Sequence, residues 1–107
     1  MNHWYDNTIS QGILKEKYYH KGEKTPQEFM DRVSSIFDPE LKKRVRGYLE
    51  DTSFCPAGRT LYAAGAKGKF KVSMSNCYIL PSPEDNLESI FRANYEIARI
   101  FSYGGGI

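Results

Sequence analysis

The stretch S-M-S-N-C-Y-I-L-P-S-P-E-D-N-L-E-S-I-F-R-A-N-Y-E-I-A-R-I-F-S-Y-G-G-G-I, Ser73–Ile107, decides the reading of this chain. Cys77 is followed by Tyr78, Ile79 and Leu80, residue types that fit a buried strand, and the pattern predicts one near 75–80. Pro81 and Pro83 end it, because proline has no N–H to give to a ladder. A helix then opens at one of two caps. Ser82, with Pro83 at the first helical position, is one; Asp85, with Glu88 three residues on, is the other. Leu87, Ile90, Phe91, Ile97, Ala98 and Phe101 recur at helical spacing and predict an amphipathic helix over 84–102. Gly104, Gly105 and Gly106 stop it and permit backbone angles or close approaches that a side chain forbids.

Upstream, Thr25-Pro26-Gln27-Glu28 is a helix start: a threonine cap, proline at the first position, and a glutamate that reaches back. Phe29, Val33, Ile36 and Phe37 follow at helical spacing, predicting a helix over 25–37. Asp38-Pro39-Glu40 repeats the same chemistry ahead of Leu41, Val45, Tyr48 and Leu49, predicting a second over 39–51. Ile13, Leu14 and Tyr18 predict an earlier helix over 10–20, broken by Gly22. Trp4, Tyr5 and Ile9 either pack on a neighbour or fray. Residues 54–65 change character: Pro56, Gly58 and Gly65 interrupt a run of small and apolar residues, consistent with short helical turns. Residues 66–71, A-K-G-K-F-K, read as an exposed basic loop.

The 107 residues, 40% hydrophobic and 26% charged, suit one small domain. A net charge of +2 is too small to argue for direct nucleic-acid or anionic-membrane binding. No apolar run approaches the ~20 residues a bilayer requires. A soluble, cytoplasmic protein is expected. Cys55 and Cys77 lie in unlike contexts and form no metal-ligand pair, and without a signal peptide reduced thiols are expected. His3 and His20 sit in polar surroundings with no evident partner. From residues alone, Cys77 reads as a buried structural thiol, Thr60 as a turn or helix cap, and Arg59 as a cation for either a phosphate or a carboxylate.

Four motifs in order change that reading: F-C-P-A-G-R-T-L-Y-A-A-G (Phe54–Gly65), S-N-C-Y-I-L-P, E-D-N-L-E-S-I and S-Y-G-G-G-I. Together they resemble the large, catalytic subunit of ribonucleotide reductase, and their wording is most similar to its adenosylcobalamin-dependent class. The resemblance runs from about Ile13 to the end. It implies a mostly α (α+β) chain: an N-terminal helical region over 1–53, then, over 54–107, the first strand and helix of a ten-stranded α/β barrel. The family converts ribonucleotides to deoxyribonucleotides by radical chemistry. A thiyl radical on one cysteine takes the 3′ hydrogen, the 2′ hydroxyl leaves as water, and two further thiols supply the electrons and become a disulfide, later reset by thiol exchange.

By this resemblance Cys77 is one of the two reducing thiols. Thr60 falls at a position that contacts a substrate phosphate. Asn76, where the iron-dependent class often has serine, lines the nucleotide site, and Gly104, Gly105 and Gly106 form a loop at the substrate pocket. Asp85, or Glu84 beside it, falls near the site where a deoxynucleotide effector meets a dimer face. The implied cofactor of the complete enzyme is adenosylcobalamin, the alternative being an iron-bearing radical subunit; this chain alone is expected to bind neither. The implied partners are the remainder of the catalytic subunit, the ribonucleotide substrate, the effector, a thioredoxin-like reductant and a second copy. The radical cysteine and the second reducing cysteine are expected downstream, which makes this chain a piece, inactive alone: an N-terminal fragment, a split-gene product or an extein half. Two other readings remain open, a stand-alone helical interaction module and a generic thiol protein.

Overall fold

The computed structural model describes residues 3–107, and it is mostly helical. A short 3-10 turn, Trp4–Asp6, leads into α1, Thr8–Ile13, which runs on through a π-helical turn, Leu14–Tyr18. That turn closes where the Tyr19 N–H donates to the Leu14 carbonyl at 2.8 Å, and Gly22, at φ +95°, completes the stop. α2 spans Pro26–Ser34 and α3 spans Pro39–Asp51. Their starts follow the chemistry expected. The Thr25 hydroxyl accepts from the Glu28 N–H at 3.2 Å while the Glu28 carboxylate accepts from the Thr25 N–H at 3.0 Å, and the Asp38 carboxylate accepts from the Leu41 N–H at 3.0 Å.

α2 and α3 turn against each other and bury Phe29, Met30, Val33, Val45 and Leu49. Leu14, Tyr5 and Ala64 complete this core. The N-terminal turn is pinned rather than frayed: the Trp4 indole N–H donates to the Leu49 carbonyl at 3.0 Å and the Tyr5 hydroxyl to Glu50 at 2.8 Å. Ile9 does not share in that packing and is exposed, and Ile13 and Ile36, expected on apolar stripes, are exposed too.

α4, Gly58–Ala63, joins this unit through a buried arginine. The Arg32 guanidinium donates to the carbonyls of Leu61, Tyr62 and Ala64 at 3.2, 3.1 and 2.7 Å, and to Tyr18 at 3.1 Å. It also pairs with Glu23 at 2.8 Å. One side chain of α2 thus satisfies the carbonyls left open at the end of α4 and the end of the π turn. Packing therefore runs across residue 53 without a break. His20 is buried here too, at 7% exposure, contrary to the polar surroundings expected of it. Its Nε2 lies 2.6 Å from the Tyr62 carbonyl, and its ring packs edge-on against Tyr62 and Phe70. The basic loop is accordingly anchored at Phe70. His3 is not isolated either, since its ring stacks on Tyr5 at 4.9 Å.

α5, Leu87–Ser102, stands apart. It makes no extensive contact with another helix, and none of its residues is buried. Leu87, Phe91, Tyr95 and Phe101 are 75, 67, 61 and 58% exposed, so the apolar face of this 16-residue helix is open along its length. The opposite flank carries the ion pairs Glu88–Arg92 and Glu96–Arg99. The chain measures 60 × 32 × 25 Å with a radius of gyration of 17.5 Å, against about 13 Å for a compact domain of this length. The excess is the projecting α5.

Two local expectations are corrected. The start of α5 is capped by neither Ser82 nor Asp85: the Asn86 side chain accepts from the Ser89 N–H at 2.8 Å, and the Ser89 hydroxyl accepts from the Glu84 N–H at 2.9 Å. Asparagine three residues past the second proline can take the extended cap conformation and still reach the third amide. The buried strand at 75–80 is, among the described residues, a single parallel bridge between Cys77 and Gly106. Ile79 is 98% exposed and Cys77 is exposed as well. A parallel strand gains its ladder from a neighbour, and residue 106 offers only one pairing position. No barrel is formed by these residues.

Candidate functional site

The bridge is where the sequence-predicted residues meet. The Tyr78 N–H donates to the Gly106 carbonyl at 2.8 Å, and the Gly106 N–H donates to the Asn76 carbonyl at 2.7 Å. This sets Cys77 directly beside the glycine loop: its Sγ lies 3.7 Å from where a Cβ on Gly106 would stand.

The loop itself is a helix stop with a second use. The Gly105 N–H donates to the Ile100 carbonyl at 3.1 Å and the Gly104 N–H to Phe101 at 3.0 Å, the paired bonds of a Schellman motif. Gly104 takes the left-handed conformation this requires, at φ +81°. Gly105 is buried, and a Cβ there would stand 2.6 Å from the Tyr78 ring and 2.9 Å from Ile100. The motif that ends α5 is thereby pressed against the segment that holds the cysteine.

The start of α4 forms the other wall. The Arg59 N–H donates to the Asn76 side-chain oxygen at 3.2 Å, and the Thr60 hydroxyl to the Met74 carbonyl at 3.4 Å. Asn76 therefore holds α4 with its side chain and the glycine loop with its backbone. The Tyr78 hydroxyl bonds Ser73, closing the turn between them. Thr60, Asn76, Cys77, Gly104, Gly105 and Gly106 thus form one neighbourhood on the outer face of the molecule.

Asp85 does not join it. It lies before the first turn of α5, at the opposite end from the glycines, and a 16-residue helix is about 24 Å long. Cys55 is also elsewhere. Exposed, it lines an apolar cleft of about 290 Å³ in the helical unit with Trp4, Ile13, Phe29 and Leu61. The thiols are both free. Among the described residues no group of three or more His, Cys, Asp or Glu side chains is placed to hold a metal ion, and no helix is long and apolar enough to cross a membrane.

Arg59, left without a role by the sequence, sits at the centre of this neighbourhood. Its guanidinium lies over the Tyr62 ring, 5.2 Å from the centroid, and covers Gly104 so closely that a Cβ there would overlap it. The sequence carried only a partial signal: from Phe54 to Pro83 the charged residues are Arg59, Lys67, Lys69 and Lys71, with no aspartate or glutamate nearby in the chain, while a distant partner was left open.

No family model, no curated protein and no solved structure matches this chain.

Proposed function

We propose that this chain is the N-terminal part of the catalytic subunit of a ribonucleotide reductase. The observation that carries the reading is the placing of Cys77 beside Gly106 on a segment that also holds the start of α4, through Asn76 to Arg59 and Met74 to Thr60. A reducing thiol, a phosphate-contacting hydroxyl and a loop of minimal bulk belong together if one ribonucleotide is to touch all three, although they lie as much as 46 residues apart in the chain. An exposed cysteine also suits the role better than a buried one, because a thiol that must cycle through a disulfide has to be reached by its partner thiol and by a reductant.

In this reading Cys77 and a second thiol from the rest of the subunit deliver two electrons and two protons. The substrate loses its 2′ oxygen as water and the two sulfurs end joined. In this reading the radical-generating group, adenosylcobalamin or an iron-bearing subunit, belongs to the rest of the enzyme. The open face of α5 is where that remainder packs, completing the barrel of which the Cys77–Gly106 pairing is the beginning. The same face would serve a stand-alone interaction module, which is the competing reading.

The test is single-turnover product analysis in an enzyme reconstituted with this chain. Cys77→Ser keeps the side chain's size but cannot form a disulfide, so turnover is expected to stop, whereas Cys55→Ser should leave it near wild type. Normal deoxynucleotide yield from Cys77→Ser, or equal loss from both, overturns the reading. The isolated chain is expected to reduce no ribonucleotide.

A further inference from the structure

We propose that Arg59, together with Lys71, forms an anion subsite that holds the polyphosphate of a nucleotide at the Gly104 end of the glycine loop. The inference rests on the reading of this loop as a substrate pocket and adds the group that binds charge there.

A guanidinium on a protein usually pairs with a carboxylate or hangs free in water. Arg59 does neither. Among the described residues no carboxylate lies within 4.0 Å of it, and its side chain donates no hydrogen bond to the protein. Yet it is held in place, with its face on Tyr62 and its edge over Gly104. A fixed, planar fork with unused donors is preorganised for the paired oxygens of a phosphoryl group. Lys71 lies over the Tyr103 ring at 6.0 Å, so two cations flank consecutive residues of the loop. Among the described residues Lys71 is likewise free of any ion pair, and the stretch from Phe54 to Pro83 supplies no acid to compete.

The arrangement also has a direction. Arg59 stands at Gly104 and the Cys77 sulfur at Gly106. Two residues of chain span at most about 7 Å, a reach comparable to that between the ribose and the outer phosphoryl groups of a nucleotide. Phosphates at Arg59 therefore put the sugar at Cys77.

The test uses the full chain and tripolyphosphate as the probe, at low ionic strength so that exposed charges are little screened. Nitrogen-edited NMR follows the Arg59 Nε–H and the Gly104–Gly106 amides. Saturable shifts at these groups are expected. Arg59→Gln should weaken binding on the order of ten-fold or more, Arg59→Lys less, since charge survives but the fork does not, and Lys71→Gln a few-fold. Lys42→Gln, on α3, should change nothing. The ring resonances of His20, Tyr62 and Phe70 report that α4 remains folded in each variant. Unchanged affinity in both Arg59 variants overturns the proposal, as does an equal loss in Lys42→Gln. So does tighter binding of a single-stranded oligonucleotide through the same residues, which would make the site one for nucleic acid. The two readings fail separately. An Arg59-dependent tripolyphosphate site with a dispensable Cys77 leaves the subsite and removes the reductase; an essential Cys77 with no Arg59 dependence does the reverse.

Discussion

Replacing Arg32 by alanine tests the joint on which the candidate site hangs. The guanidinium and its partner Glu23 are both withdrawn from water, with side-chain exposures of 8 and 13%. Removing the cation leaves a buried carboxylate without its countercharge, a loss of about 3–5 kcal/mol. It also takes the arginine donors from the carbonyls of Tyr18, Leu61 and Ala64, leaving that of Tyr62 to His20 alone. A domain of this size has about 5–15 kcal/mol in total. Arg32→Ala should therefore remove a large share of it, lowering the urea midpoint by on the order of 2–4 M at a typical denaturant slope. Trp4 is the one tryptophan and its indole is bonded to the Leu49 carbonyl, so its fluorescence follows the loss of packing on α3. Arg32→Met combined with Glu23→Gln should recover part of the loss, because no charge is then stranded. A midpoint for Arg32→Ala within about 0.5 M of wild type, or a double variant less stable than Arg32→Ala, would refute the reasoning.

Three further outcomes are expected. Gly105→Ala should break the Cys77–Gly106 pairing, seen as faster amide exchange at Tyr78 and Gly106, at a cost of about 1–3 kcal/mol for overpacking, while Gly106→Ala, with nothing nearer than 3.7 Å, should leave it closed. The Glu28 carboxyl is held below its ordinary 4.5 by the N–H groups of Lys24 and Thr25, and Glu50 below the same value by the Tyr5 hydroxyl and then Arg46. The unfolded chain therefore takes up these protons first, so the stability they contribute is complete above about pH 4.5 and is lost as the pH falls through the lower folded values. Glu28→Gln should be less stable than wild type at neutral pH, with a difference that closes in acid, as read by thermal melts across pH. Phe91→Glu should change the chain's own stability by no more than about 0.5 kcal/mol, since the ring is 67% exposed, yet abolish co-purification with the rest of a reconstituted enzyme.

The helical half was readable because its signals are local. Thr25-Pro26 and Asp38-Pro39 cap their own helices, and the spacing of Phe29, Val33, Val45 and Leu49 selects the buried stripe without reference to anything distant. Arg32 and His20 were not readable as core residues, because what buries them is a set of backbone carbonyls on α4 that carries no side-chain pattern. The strand failed for a related reason. Tyr-Ile-Leu has the composition of a buried strand, but burial needs a neighbour, and Ile79 has none. At the site, the grouping of Thr60, Asn76, Cys77 and the glycines came from resemblance alone, since no periodicity links residues this far apart. Arg59 needed the structure to separate its two alternatives, because the absence of a carboxylate partner is a spatial fact.

The arginine clamp has a consequence for how this sequence can drift. Arg32 addresses α4 only through main-chain oxygens, so the identities of Leu61, Tyr62 and Ala64 are irrelevant to the grip itself. What constrains those three side chains is packing instead: Ala64 is fully buried, Leu61 lies against the core, and Tyr62 packs on His20 and Phe70. The grip itself restricts two other positions. Residue 32 must keep a long planar cation, and residue 65 must keep no side chain, because a Cβ on Gly65 would stand 2.8 Å from both the Arg32 carbonyl and its Cγ. Within the clamp, sequence freedom is thus withdrawn from the two residues whose shape makes the hydrogen bonds possible, not from those whose carbonyls receive them.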